Sequence, residues 1–216
     1  MDLSFTFFPN INSKESRMKI KSGLLKTAII AAGFGFVSTN AFSAGTVTGT
    51  VDVAVPKYKK DVVVYIKGVK GPITPKKGEV DQKNLVFIPH VLAVPTGSSV
   101  DFKNSDKVNH NIFSADVCKK FNLGTYNPGM TKSVVFDKAC VVNLLCNVHS
   151  EMSGYVVVVD SNAYAVTGAD GKFSIPNVPA GTYEITAWSE KMKPAGKTTV
   201  TVTDGGTATV AIKMAK

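Results

Sequence analysis

The chain of 216 residues has one arginine (Arg17), one tryptophan, three histidines and three cysteines. Nucleic-acid readers cluster Lys and Arg with aromatics on one face. Here 25 basic residues face 16 acidic ones, and the lysines are scattered through what reads as β structure, so the +9 charge does not make such a reader. Long hydrophobic runs are also missing. The longest unbroken stretch, residues 27–37 (TAIIAAGFGFV), is about half of the roughly 20 residues a bilayer-spanning helix needs. No fixed-period repeat and no low-complexity tract is visible. What the chain does have is 44% apolar residues against 19% charged. That balance excludes wholesale disorder and allows one or two small packed domains. The odd cysteine count leaves one thiol over after any pairing.

From Met18 onward the N-terminus reads as a secretory signal. Lys19, Lys21 and Lys26 precede the apolar run, and small residues follow in STNAFSAG. Cleavage after Ala41 or Ser43 places small residues at both recognition positions, and cleavage after Ala44 fits less well. Residues 1–17 carry Asp2 and Glu15 and do not resemble a signal, so translation is expected to start at Met18. Removing residues 1–44 takes away five bases and two acids, lowering the charge from +9 to +6. Export implies a periplasmic protein without a membrane span, in an oxidising compartment.

Beyond residue 44 no window sustains a 3.6-residue apolar period. Short alternating runs broken by Gly, Pro, Asn and Asp predict an all-β fold, a β-sandwich plus a small second β-sandwich module. Strands are expected at 46–55, 61–67, 84–94, 99–104, 111–114, 131–137, 141–146, 155–159, 173–175, 183–188, 198–203 and 207–214. Pro89 and Pro95 require the third to be kinked or to lie at a sheet edge. Residues 70–82 read as a linker or long loop. The expected organisation is 1–44 upstream extension and signal, 45–82 N-terminal strands and linker, 83–160 a first sandwich, and 161–216 a second.

The chemistry lies in CNVHSEM, residues 146–152. A thiolate (Cys146), an imidazole (His149) and a thioether (Met152) fall within seven residues at the end of an expected strand. Soft sulfur favours copper, and two imidazoles, one thiolate and a distant thioether form the trigonal set of electron-transfer sites. The second imidazole must come from elsewhere, and His110 is well placed for it. Zinc would more typically recruit further Cys, His or carboxylate ligands than a thioether. His90 reads as structural and Met130 as a loop residue.

These motifs resemble the cupredoxins, the plastocyanin and amicyanin family of blue copper proteins. LVFIP (85–89), VPTG (94–97), VDFKN (100–104) and His110-Asn111-Ile112 match in order and spacing, followed by Asn127-Pro128-Gly129 and Val134-Val135-Phe136. Cys146-x2-His149-x2-Met152 is similar to the short ligand loop of amicyanin. The resemblance covers about residues 80–160 and implies a Greek-key sandwich binding one type 1 copper ion. His110, Cys146 and His149 would be the equatorial ligands and Met152 the axial one, with Asn111 tying the two ligand loops together. Ser150-Glu151 makes this loop more acidic than amicyanin-like ones, which bears on potential and partner surface.

Cys118 and Cys140 are not at ligand spacing. In an oxidising compartment their simplest reading is a disulfide, with two separate buried thiols as the alternative. Residues 161–214 resemble a second family, the carboxypeptidase regulatory-like (transthyretin-like) β-domains, through DGKF (170–173) and VPAGTY (178–183). That segment is short for a core of its own. Either it borrows residues 45–67, making the copper domain an insertion, or those strands complete the cupredoxin sheet. The resemblance implies a periplasmic one-electron carrier, not an enzyme, that docks a redox protein such as a c-type cytochrome or a periplasmic oxidoreductase. Copper storage or delivery, and a β-sandwich interaction protein with an incidental metal site, are the other two classes.

Overall fold

The computed structural model describes residues 43–216. The expected signal, its cleavage site and the start at Met18 therefore lie outside or at the margin of the described residues. The chain is all-β. Its strands are β1 (Gly45–Val53), β2 (Val63–Ile66), β3 (Lys77–Lys83), β4 (Val86–Ile88), β5 (Val91–Pro95), β6 (Ser98–Asn104), β7 (His110–Ser114), β8 (Phe121–Tyr126) and β9 (Thr131–Phe136). They continue with β10 (Cys140–Leu145), β11 (Ser153–Val159), β12 (Tyr164–Val166), β13 (Lys172–Val178), β14 (Gly181–Trp188), β15 (Lys193–Pro194), β16 (Thr198–Val202) and β17 (Thr207–Ala215). One short 3-10 turn, Pro56–Lys59, follows β1.

Among the described residues four sheets form, in the orders β13-β1-β17-β15, β12-β2-β14-β16, β4-β3-β6-β9 and β5-β11-β10-β7-β8. The first two make one sandwich and the last two another. β1 lies between β13 and β17, and β2 between β12 and β14. The N-terminal strands thus complete the C-terminal module, and the second sandwich, β3–β11, is inserted between β2 and β12. The host gains the core that residues 161–216 alone are too few to build.

Three buried clusters show how the sheets stack. The host core lies between β1/β13/β17 and β2/β14/β16, and includes Val62, Val64, Phe173, Ile175 and Ile212. The insert's core lies between β3/β4/β6/β9 and β5/β7/β10/β11, with Phe102, Phe136, Leu144, Val156 and Val158. The third joins the two sandwiches: Val63 of β2 meets Val91, Ala93, Val157 and Val159, flanked by Tyr65, Tyr164 and Trp188. Side chains on a strand alternate in direction, so a strand buried on both faces needs apolar residues at every position. That is why residues 62–64 and 156–159 are unbroken valine runs, successive valines feeding opposite cores.

Two expectations are corrected here. Residues 77–83, the end of the supposed linker, form β3, parallel to β6 and antiparallel to β4. KGEVDQK has little β-branched character, and its place is set by a non-local partner and by burial of Val80 and Gln82 on one face. The single strand expected over 84–94 is two, β4 and β5, separated at Pro89. Each is at the edge of a different sheet, where a missing N–H costs no ladder bond. β8, β12 and β15 were not anticipated.

Cys118, in the β7–β8 connection, is disulfide-bonded to Cys140 at the start of β10, and Cys146 is the free, buried cysteine. Closing a loop of this length restricts the unfolded chain, and opening the bond is expected to cost about 3 kcal/mol. Denaturant melts with and without reductant measure this. A thiol titration of the unreduced, denatured, metal-free protein should find one thiol, and finding three would disprove the bond.

Candidate metal centre

β7 and β10 are antiparallel neighbours, with Leu145 opposite Phe113. The start of β7 therefore lies beside the end of β10, which brings His110 to the loop that begins at Cys146. The loop turns at once: the Met152 amide donates to the His149 carbonyl (3.1 Å), and β11 begins at Ser153. The donor atoms of His110, Cys146 and His149 all lie within 4.8 Å of one another. His110 is 0% exposed, Met152 1% and Cys146 4%, whereas His149 is only half-buried. Met152 and Cys146 belong to the same buried cluster.

The two imidazoles face each other through their δ nitrogens, 3.1 Å apart. Two nitrogens sharing one ion, each about 2 Å from it, must fall roughly 3–4 Å apart, so the spacing fits a common metal. On the far side of His110, Nε2 lies 3.1 Å from Oδ2 of Asp106. A carboxylate accepts, so Nε2 carries the hydrogen and Nδ1 keeps the lone pair a metal needs. The Leu85 amide (2.9 Å) and the Lys107 amide (3.1 Å) also donate to Asp106. The Leu85 amide is the main cause holding this carboxyl below its ordinary value, against the opposing effect of burial, with the His110 bond adding to it. The carboxylate is thus ionised at neutral pH and fixes the imidazole from behind. Sequence reading missed Asp106. Its signal was a carboxylate four residues before a candidate ligand.

Asn111 is fully buried. Its Nδ2 donates to Oδ1 of Asn122 on β8 (2.8 Å), and its Oδ1 receives a long contact (3.5 Å) from the Asn147 amide in the loop after β10. Asn104 pins the loop before His110, Nδ2 donating to the carbonyls of Val108 (3.0 Å) and Tyr126 (3.2 Å). Tyr126, paired with His110 across β7 and β8, donates its hydroxyl to the Phe102 carbonyl, and burial pushes its phenol upward. These bonds tie together the loops around the centre. Glu151 is exposed on the turn. Met130 is exposed after the 127–129 turn, and His90 lies outside the three-residue group.

The donor set suits copper: one thiolate, two imidazoles of set orientation and a buried thioether on the same loop. Among the described residues no other group of three or more His, Cys, Asp or Glu side chains is placed to hold a metal.

A family model described as carboxypeptidase regulatory-like domain matches residues 149–215. Among solved structures, the chain is similar to a purple cupredoxin from Nitrosopumilus maritimus. The identity is 29% over 38% of this chain and 99% of that one, with a TM-score of 0.35. It is similar to a reduced Cu(I) form of an amicyanin mutant, at 19% identity over 44% of this chain and 98% of that one (TM-score 0.37). A Cu-containing nitrite reductase from Thermus scotoductus matches at 22% identity over 51% of this chain but 28% of its own (TM-score 0.38). No curated protein matches.

Proposed function

We propose that this protein is a periplasmic type 1 copper protein that carries one electron at a time and performs no bond chemistry on a substrate. One observation supports this most: the donor atoms of His110, Cys146 and His149 converge within 4.8 Å on a hydrogen-bonded frame. When bound, copper would supply a single electron by cycling between Cu(II) and Cu(I). The chain's part is to keep the donors in place in both states. Asp106 holds His110 from behind, the end of β10 holds Cys146 among apolar side chains, and Met152 would add a buried thioether as a further ligand. The half-buried His149 is the route out to a partner. Val148, Val108, Met130 and Leu85 are exposed apolar residues on the loops around the centre and offer a docking surface for a redox protein such as a c-type cytochrome. Export through the N-terminal signal completes the reading, and no helix among the described residues is long and apolar enough to cross a membrane.

Titration with Cu(II) under visible spectroscopy tests the proposal. One equivalent should produce an intense thiolate-to-copper band that a mild reductant bleaches and an oxidant restores, with the ion retained against a chelator. Rapid loss to the chelator would favour storage or delivery. A folded protein that stays colourless would end the copper reading.

A further inference from the structure

His90 bridges the two sandwiches at the point where the metal-binding loop ends. It sits between β4 and β5 of the insert. Its Nδ1 is 3.1 Å from the carbonyl oxygen of Ser153, the residue after Met152, and its Nε2 is 3.0 Å from Oε2 of Glu190, in the host's β14–β15 connection. A carbonyl oxygen only accepts, and so does an ionised carboxylate. The ring thus spans two acceptors, one in each sandwich. Burial by itself would raise the Glu190 carboxyl, but contacts with Lys191 and His90 outweigh it and hold the group below its ordinary value, so it is ionised.

The surroundings keep the bridge tight. The His90 carbonyl accepts from the Tyr155 amide (2.8 Å), so His90 grips the start of β11 on both sides of Gly154. A Cβ on Gly154 would come within 3.0 Å of that carbonyl and 3.2 Å of the Phe87 side chain, so only glycine fits there without a shift. The Tyr155 ring stands edge-on to His90, centroids 5.5 Å apart, and packs against Trp188 of the host at 5.0 Å. The other charged groups facing His90 are Lys191, paired with Glu190 at 2.6 Å, and Lys57, Lys60 and Asp61, which line the same 190 Å³ cleft. Glu151 lies across the neighbouring groove.

We infer that Glu190 of the host and His90 of the insert are positioning residues for the Met152 end of the metal-binding loop. Through the Ser153 carbonyl they fix the backbone that carries Met152. This rests on the copper reading for its functional meaning, and it gives the host sandwich a part in the centre although it holds none of the ligands.

Two measurements test this. In metal-free protein, amide hydrogen exchange at Gly154 and Tyr155 should be several-fold faster in Glu190→Gln and His90→Gln than in the wild type, and equal rates would overturn the brace whether or not copper binds. In the copper-loaded protein, Glu190→Gln and His90→Gln should keep one copper per chain, yet change the relative intensities of the visible bands and displace the reduction potential. Glu184→Gln, which breaks a surface pair with Lys67 elsewhere in the host, should change neither. Unchanged spectra and potentials in folded Glu190→Gln and His90→Gln proteins would refute the inference. A colourless wild type would strike only the copper reading, and the exchange rates would still decide the brace. If His90→Gln does not fold, Glu190→Gln decides it alone.

Discussion

Cys146→Ser should leave a folded protein that no longer turns coloured with Cu(II). The exchange is nearly isosteric, and Cys146 directly follows β10, whose register is fixed by six pairs with β11. The new hydroxyl would sit in an apolar cluster, costing about 1–3 kcal/mol if it finds no partner. That is a tolerable loss for a domain also tied by a disulfide. The effect on the metal is of another order. A serine hydroxyl stays protonated at neutral pH and has no soft, polarisable electron pair, so the thiolate-to-copper transition has no donor. His110 and His149 remain, with their δ nitrogens facing each other, and can hold Cu(II) weakly as a pale nitrogen-ligated species. The expected result is loss of the intense band with far-ultraviolet circular dichroism unchanged. An intense band surviving in the serine variant would mean that the colour does not come from this thiol.

The 146–152 loop was legible as a candidate site because its chemistry is local. Cys146, His149 and Met152 fall within seven residues, and the strand before them alternates in burial. His110 was legible through its own short motif. Asp106 was not, because a carboxylate in a polar turn looks like any solvated residue until the fold turns the His110 ring toward it. The brace was less visible still: His90 and Glu190 are 100 positions apart, and each taken alone is an ordinary surface residue. The same contrast runs through the fold. Pro89 announced a break between edge strands, since proline removes a donor wherever it stands. β3 was hidden because KGEVDQK becomes a strand only beside β6, a partner supplied by the rest of the chain. The open question of residues 45–67 could not be decided from their pattern, which suits either sandwich. Pairing with β13, β17, β12 and β14 decides it for the host.

Val157→Asp should be the most destabilising of the simple substitutions at the seam between the sandwiches. Val157 is 3% exposed and faces Val63, with Tyr65 and Trp188 nearby, whereas its neighbours Val156 and Val158 face the insert's own core. A carboxylate there loses the valine's burial, worth about 1.5–3 kcal/mol, and must shed much of its hydration. The expected cost is about 4 kcal/mol or more, large against a typical total stability of roughly 5–15 kcal/mol. Val135→Asp is the matched control, since Val135 is 52% exposed on β9, an edge strand, and should shift stability by less than about 0.5 kcal/mol. Chemical denaturation of both variants measures the difference. Equal, small effects would mean that the two sandwiches do not share a buried face. The valine run would then have no second core to fill, and the Glu190–His90 contact would have no fixed platform behind it.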